Sequence, residues 1–512
     1  MTRIRIGRRL LMGALIPCLA LCLTLLGTTS VWAAPHHTSR IATASKIAWL
    51  AFDGAGARSG VNSAETIITP STVSGLHSLW QHTLPSVVDG TLVEQPNVST
   101  SGGVRDLLFG TSLTGTLFAL DAATGAIVWQ AKHPAGSCTV NNNGSPACFT
   151  TSTPAIDSRG TYVYTYGLDG YVHKHVMATG AEITTGGWPE LVTLKNFDEK
   201  GSSSLNTANG YLYVTTGGYP GDGGDYQGHL VAINLFTGAQ AVFNVLCSNQ
   251  KVHFVEQPGT PDCGQQQAGV WARAGTTVAP DTGAVYLAVG NGDYNPGAFD
   301  YGDSVLRLGW FGGGIASGAP HDSYTPANYK TLQQQDLDLG STAPALLPLQ
   351  NASLTPAMTV IIGKDGILRL LNRRNMSGKG GPGHVGGELQ DVNLSQYGEV
   401  LQQPAIWTDG NGVAWVFIVN NSGLTALTLS TDASGHSSLH VVYHNGDGGT
   451  SPLLAGGVLY VQGDGVIRAL NPTTGAKLWS ASIGPLHWES PLVVNGRLYV
   501  VDDNGVFTAF GL

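Results

Sequence analysis

Three loops carry the side chains able to do chemistry. The first, Gly217 to Gly228 (GGYPGDGGDYQG), offers carboxylates at Asp222 and Asp225. The second, Ala268 to Ser304, holds Trp271 and, between two glycines, Asn291. The third, Asp336 to Pro344, carries Asp338 in Asp-Leu-Asp-Leu-Gly and is followed by Lys364 in Gly-Lys-Asp-Gly. Carboxylate and amide oxygens are hard ligands that suit a hard divalent cation, and a carboxylate placed near a hydroxyl can take its proton. Such chemistry requires all three loops to share one rim of the fold. Read singly, each residue also has a plainer role: Asn291 in a turn, Asp338 on turn amides, Trp271 in packing, Lys364 as a solvated charge.

The N-terminus bears on the cysteines. Residues 1–33 read as an export signal, with Arg3, Arg5, Arg8 and Arg9 as a basic head, an apolar run from Leu10 to Leu26 and a small-residue cleavage site at Val31-Trp32-Ala33. An uncleaved membrane anchor is the alternative. Residues 34–45 read as a polar tether, and the chain is expected to be secreted or held in the cell envelope. Four cysteines then remain downstream of the signal, an even number in an oxidising setting. Local disulfides Cys138–Cys148 and Cys247–Cys263 are expected. Zinc is the weaker reading, because no two of these cysteines have Cys-x-x-Cys spacing.

The elements that must position the loops are strands. From Leu107 to Lys132 (LLFGTSLTGTLFALDAATGAIVWQAK), apolar residues alternate with small or polar ones, and Gly110 to Gly115 and Ala122 to Gly125 supply the turns. The pattern returns around Gly170, Gly228, Gly366, Gly423 and Gly465 and ends, without its Trp strand, at Gly505 to Leu512. A short polar residue and proline are expected to open the first strand of most repeats, at Pro96, Pro154, Pro344, Pro404, Pro452 and Pro491. With Ser203-Ser204 and Thr276-Thr277 this makes eight units in residues 46–512. Units of this kind bury their faces by stacking on one another. Leu76 to Leu84 (LHSLWQHTL) is a Trp strand without a unit, and the last unit lacks one, so the two ends are expected to pair through Val506 to Phe510. The expected fold is all-β, an eight-bladed β-propeller of four-stranded blades closed by that seam. With 70 glycines, 12% charged residues and a net charge of −9, no basic footprint for nucleic acid is present, and a monomer is expected.

The repeats Ala119 to Gly125 with Trp129, and Leu470 to Gly475 with Trp479, resemble the quinoprotein, or pyrroloquinoline-quinone-type, β-propeller repeat over essentially the whole of residues 46–512. The three loops resemble, in the same order, those with which quinoprotein alcohol dehydrogenases hold their cofactor. The resemblance implies that Asn291 ligates calcium, that Trp271 lies under the quinone ring, that Asp338 is the catalytic carboxylate and that Lys364 is the cation near the quinone oxygens. It also implies pyrroloquinoline quinone and calcium as cofactors and a small-molecule alcohol or sugar as substrate. The chain departs from the pattern in lacking the adjacent cysteine pair that caps the quinone. The calcium-ligating glutamate has no counterpart either, the equivalent loop offering Asp222 and Asp225. No Cys-x-x-Cys-His haem motif is present, so electrons would pass to a separate acceptor. Blades of this type also build non-catalytic exported proteins, such as an outer-membrane assembly lipoprotein. The alternative is therefore a binding or scaffolding propeller whose partner is an envelope protein.

Overall fold

The structure, a computed structural model, describes residues 46–135, 148–250, 263–309 and 318–512. The signal and tether read at 1–33 and 34–45, and Cys138 with its expected pairing to Cys148, lie outside the described residues.

Among the described residues, eight blades follow one another along the chain, each with four antiparallel strands, and the sheet of the seventh gains a short fifth, parallel strand. Their inner strands are Val93–Thr100, Ala155–Ile156, Asn206–Ala208, Thr276–Val278, Ala345–Leu346, Ala405–Thr408, Leu453–Ala455 and Leu492–Val494, taken here as blades 1 to 8. Blade 8 is completed from the other end of the chain: His77–Thr83 pairs with Val506–Gly511, with Ser78 opposite Phe510 and Thr83 opposite Val506. The chain is thus an eight-bladed β-propeller with the expected seam. Pro154, Pro344, Pro404, Pro452 and Pro491 each directly precede an inner strand, where a missing N–H costs no ladder bond. Pro96 does not. It lies inside Val93–Thr100 at a register shift between Gln95 and Val98, where the bulge removes its need to donate.

The repeat's tryptophan and glycine meet between blades. Trp129, on the outer strand of blade 1, donates from Nε1 to the Met177 carbonyl of blade 2 at 2.9 Å. A Cβ on Gly180 would lie 2.7 Å from its ring. Trp80 of blade 8 sits the same way on blade 1, where a Cβ on Gly125 would come within 2.5 Å. Both glycines also have φ of +74°, so the position requires glycine on two counts. Trp80 meets Phe507 edge-on at 4.8 Å, which locks the seam from inside.

One segment has no counterpart in the repeat pattern. Residues 49–62 run past the inner strands and bond to those of seven blades, all but blade 5. Trp49 exchanges backbone bonds with Glu94, the Leu50 carbonyl accepts from Ile156 and the Gly56 carbonyl from Val278. The Ser59 carbonyl then accepts from Ile406, Gly60 from Leu454, and Val61–Asn62 pairs in parallel with blade 7. Phe52 and Arg58 are fully buried, and Arg58 donates to the carbonyls of Phe52 at 2.7 Å and Ser204 at 2.8 Å. The segment plugs one end of the central channel.

Candidate functional site

Topology decides which loops can meet. In each blade the turn between the second and third strands, and the link from the outer strand to the next blade, fall on one rim; the Thr-Gly turns before the outer strands fall on the other. Gly218 to Tyr226, Asn291 and Lys364 lie in turns of the first kind, in blades 3, 4 and 5. Trp271, Asp338 and Trp488 lie in links entering blades 4, 5 and 8. All six positions named from sequence therefore occupy one rim.

Four of them, Asp222, Trp271, Asp338 and Lys364, line a cavity of about 360 Å³, within the size range of small-molecule sites. Asp338 is buried in its wall, with 5% exposure. Its Oδ1 accepts from the Asn291 N–H at 2.5 Å, and its Oδ2 lies 2.6 Å from Lys364 Nζ. Lys364 Nζ also reaches Asp336 Oδ1 at 3.2 Å and stands 5.4 Å from the centre of the Trp271 ring. The approach depends on Gly290: a Cβ there would lie 2.5 Å from Asp338 Oδ1 and 2.9 Å from Trp271 Nε1. Burial raises the pKa of Asp338, with Lys364 acting against it. Burial acts to lower that of Lys364, but Asp338 outweighs it and the net shift is upward. Asp303, whose Oδ1 accepts from the Leu339 N–H, is pushed up to about 8, chiefly by burial and then by the charge of Asp338.

Asn291 joins this group from behind the wall. Its Nδ2 donates to Asp336 Oδ1 at 2.6 Å, while its Oδ1 is buried with no partner. The two carboxylates read as metal ligands are placed differently. Asp222 lines the cavity with its Oδ1 accepting from the Tyr226 hydroxyl at 2.6 Å. Asp225 is turned away and meets Lys195 Nζ at 3.2 Å, because the glycines around it let the loop fold back on that buried lysine. Among the described residues, neither belongs to a close group of three His, Cys, Asp or Glu side chains.

Sequence reasoning missed the opposite wall. Lys200 and Arg273, each 4% exposed, face the cavity from the links entering blades 3 and 4. Lys200 Nζ lies 3.4 Å from the centre of the Phe149 ring and 5.0 Å from that of Tyr219, and burial lowers its pKa to about 7. Arg273 donates to the Thr151 carbonyl at 3.0 Å but leaves Nε and Nη2 buried without partners, as is Ser202 Oγ beside it. Its guanidinium lies over Phe52 of the plug and over Trp488 of the wall, so the plug backs the cavity at Arg273.

The second cysteine pair is formed: Cys247 and Cys263 are bridged, with Cα atoms 5.8 Å apart.

A family model described as the glucose/ethanol/alcohol dehydrogenase β-propeller domain matches residues 49–308, and one described as the outer membrane protein assembly factor BamB matches residues 406–511. Among solved structures, the chain is similar to the quinohemoprotein alcohol dehydrogenase ADHIIG from Pseudomonas putida HK5, with a TM-score of 0.61 at 13% identity over 91% of this chain and 80% of that one. The quinohemoprotein alcohol dehydrogenase from Comamonas testosteroni gives 0.58 at 15% identity, over 92% and 81%. A europium-containing methanol dehydrogenase gives 0.60 at 13% identity, over 91% and 98%. Identities this low carry the fold alone. No curated protein matches the sequence. The first family model spans half of the chain, including the loops that hold Trp271 and Asn291, and on that ground the chain belongs to the glucose/ethanol/alcohol dehydrogenase β-propeller family.

Proposed function

We propose that the chain is an exported, pyrroloquinoline-quinone-dependent oxidoreductase acting on an alcohol or sugar, with electrons leaving to a separate acceptor. The observation that carries this reading is Asp338: a buried carboxylate held by the Asn291 N–H and Lys364, at the wall of a cavity that Trp271 also lines. The residues present fit the quinone. Trp271 offers an aromatic face, and Arg273 and Lys200 offer cationic groups, the former with unpaired donors, that suit an anionic ring system. They fit calcium less fully: Asn291 Oδ1 is an orphaned oxygen and Asp338 lies beside it, but Asp225 is committed to Lys195. When bound, the quinone would supply the two-electron acceptor that the protein itself lacks.

The chain's own residues would do the rest. The raised pKa of Asp338 brings it closer to neutrality, where a general base works best. Lys364 steadies the ionised form from Oδ2, and the Asn291 N–H fixes Oδ1, so the carboxylate is held in one orientation at the cavity wall. Phe149, Tyr219 and Trp488 make much of the remaining wall apolar, which limits the water competing for the base. Export is supported by the Cys247–Cys263 bridge, since disulfides persist in oxidising compartments.

A second reading, a scaffolding propeller that binds an envelope protein, is favoured by the BamB family model's match to blades 6 to 8. One titration separates the two. Folded protein with calcium in excess should take up pyrroloquinoline quinone saturably, one per chain, and Asn291→Ala should weaken that uptake at least about tenfold. Absence of saturable heat would remove the dehydrogenase reading and leave the scaffold.

A further inference from the structure

A second cluster of chemically able side chains stands apart from the cavity, where blades 1 and 2 meet. His173 and His175 alternate on Tyr171–Val176 and so face the same way, and Asp169 occupies the turn just before that strand. His133 reaches them from the link leaving blade 1. The exposures of His133, His173 and His175 are 7%, 4% and 1%. One ligand atom each from His133, Asp169 and His173 lie within 4.8 Å of one another.

The hydrogen bonds fix which nitrogens are available. The His175 ring donates from Nδ1 to the Gly180 carbonyl at 2.9 Å, so its Nε2 accepts from His133 Nε2 at 2.9 Å. A neutral His133 that donates from Nε2 carries its lone pair on Nδ1. His173 has Glu182 Oε1 at 2.6 Å from its Nδ1, and its Nε2 lies 3.1 Å from both oxygens of Asp169. A carboxylate on the far nitrogen of a histidine is the usual outer support of a metal-bound imidazole. The space is also kept clear. A Cβ on Gly167 would stand 2.5 Å from Asp169 Oδ1, 2.7 Å from His173 Nε2 and 2.8 Å from His133 Cβ, so only glycine lets the three groups converge there.

We infer that His133, Asp169 and His173 form a binding site for a zinc-class divalent ion, with Glu182 and His175 as its outer support. Two imidazoles and a carboxylate suit zinc and neighbouring ions rather than calcium or magnesium. Bonds of about 2.0–2.2 Å in a tetrahedron place ligand atoms roughly 3.3–3.5 Å apart. The 3.1 Å between His173 Nε2 and Asp169 therefore needs only a few tenths of an ångström of opening. The His133 and His173 rings are stacked at 3.4 Å, and His133 must turn out of that stack to aim Nδ1 at the ion. The fourth position would be taken by water, and the ion would tie blade 1 to blade 2. Leu168 connects this site to the cavity: its N–H donates to the His133 carbonyl at 2.9 Å, and its side chain packs with Phe149 and Tyr219.

The test is a competition titration of chelator-treated mature protein with zinc against a chromophoric chelator, with cobalt as a spectroscopic substitute. One ion per chain is expected, together with the intense visible bands of tetrahedral cobalt. Asp169→Asn and His173→Ala should each weaken uptake at least about 100-fold, and Glu182→Gln about 10- to 100-fold. Zinc should raise the melting temperature of the wild type and leave that of His173→Ala unmoved. Wild-type protein that takes up no stoichiometric ion overturns the inference without recourse to any variant. So does uptake that the folded Asp169→Asn and Glu182→Gln proteins retain in full, since other histidines would then be responsible. Quinone uptake is measured in parallel and is independent of either result.

Discussion

Replacing Asp338 with asparagine separates what the carboxylate does for the fold from what it does for chemistry. Asparagine can keep the bond at Oδ1, since its carbonyl still accepts from the Asn291 N–H that now lies 2.5 Å away. The other side changes sign. An amide Nδ2 would face the Lys364 ammonium where the present distance to Oδ2 is 2.6 Å, placing donor against donor. Breaking a buried ion pair from one side costs about 3–5 kcal/mol. Here Lys364 keeps Asp336 at 3.2 Å and opens onto the cavity, so about 1–3 kcal/mol is expected. Loss of a general base costs about 10²- to 10⁴-fold in turnover, or about 2.7–5.4 kcal/mol of barrier.

The two effects part company in a double variant. Asp338→Asn with Lys364→Met removes both partners, and replacing a buried pair by apolar volume is often neutral. Most of the lost stability should return while turnover should not. The assays are urea unfolding and quinone-dependent dye reduction with a panel of alcohols and sugars, with uptake of the quinone measured separately. Turnover by Asp338→Asn at the wild-type rate would refute the base assignment. A double variant less stable than the single one would refute the electrostatic account.

Two further outcomes follow from the geometry. Asp53, Glu94 and Asp303 are each pushed up to about 8 and Glu489 to about 7, all chiefly by burial. A carboxyl whose folded pKa is raised contributes most below its unfolded value near 4 and loses that contribution as pH rises through the folded value, so melting temperature should fall between pH 4 and 7. Lys200, lowered to about 7, acts in the opposite sense only above that pH; a melting curve flat or rising from pH 4 to 7 would show the buried carboxyls to be ionised. At the seam, Trp80→Ala removes the edge contact to Phe507 and the bond from Nε1 to the Ala122 carbonyl, and should cost about 2–4 kcal/mol in urea unfolding. A loss under about 0.5 kcal/mol would mean that the ring does not depend on that closure.

The propeller was legible because its information is periodic. Blades repeat an alternation of period two; Thr-Gly turns mark blades 1, 2, 3 and 7, and tryptophans stand on the outer strands of blades 1, 7 and 8, the two being halves of one contact between neighbours, as Trp129 and Gly180 show. Blade 6 has no tryptophan there. Tyr443 takes the position, with a Cβ on Gly475 lying 2.8 Å from its ring and its hydroxyl donating to the Pro472 carbonyl at 2.8 Å. The loops could be ranked by irregularity and assigned to one rim by counting strands. What could not be read was whatever depends on non-repeating contacts. The plug is the clearest case: Trp49 to Asn62 has no alternation, and its hydrogen bonds go to seven different inner strands. Lys200 and Arg273 were equally opaque, since one sits in a two-residue strand and the other in a link, and only the closed ring brings them into one cavity. The pairing of Asp225 with Lys195 was opaque for the same reason, since one lies in a turn of blade 3 and the other in the link entering that blade.

The plug also explains how the cavity acquires a direction. A propeller encloses a central channel, and what fills it and which charges line it decide how a ligand sits along the axis. Here Phe52 packs against the Arg273 guanidinium and holds it at the cavity wall, with Nε and Nη2 buried and unpaired. Lys200 adds a second cationic group on the same side, among Phe149 and Tyr219. Across from them stand Asp222, Asp336 and Asp338, of which Asp336 is exposed and Asp338 is not. Charges separated in this way within low-dielectric walls orient a polar ligand by several kT before any contact is made. On the proposed function, an anionic group would be drawn to the Arg273 side, leaving a hydroxyl of the substrate toward Asp338, whose two oxygens are held by the Asn291 N–H and Lys364 and whose pKa burial raises.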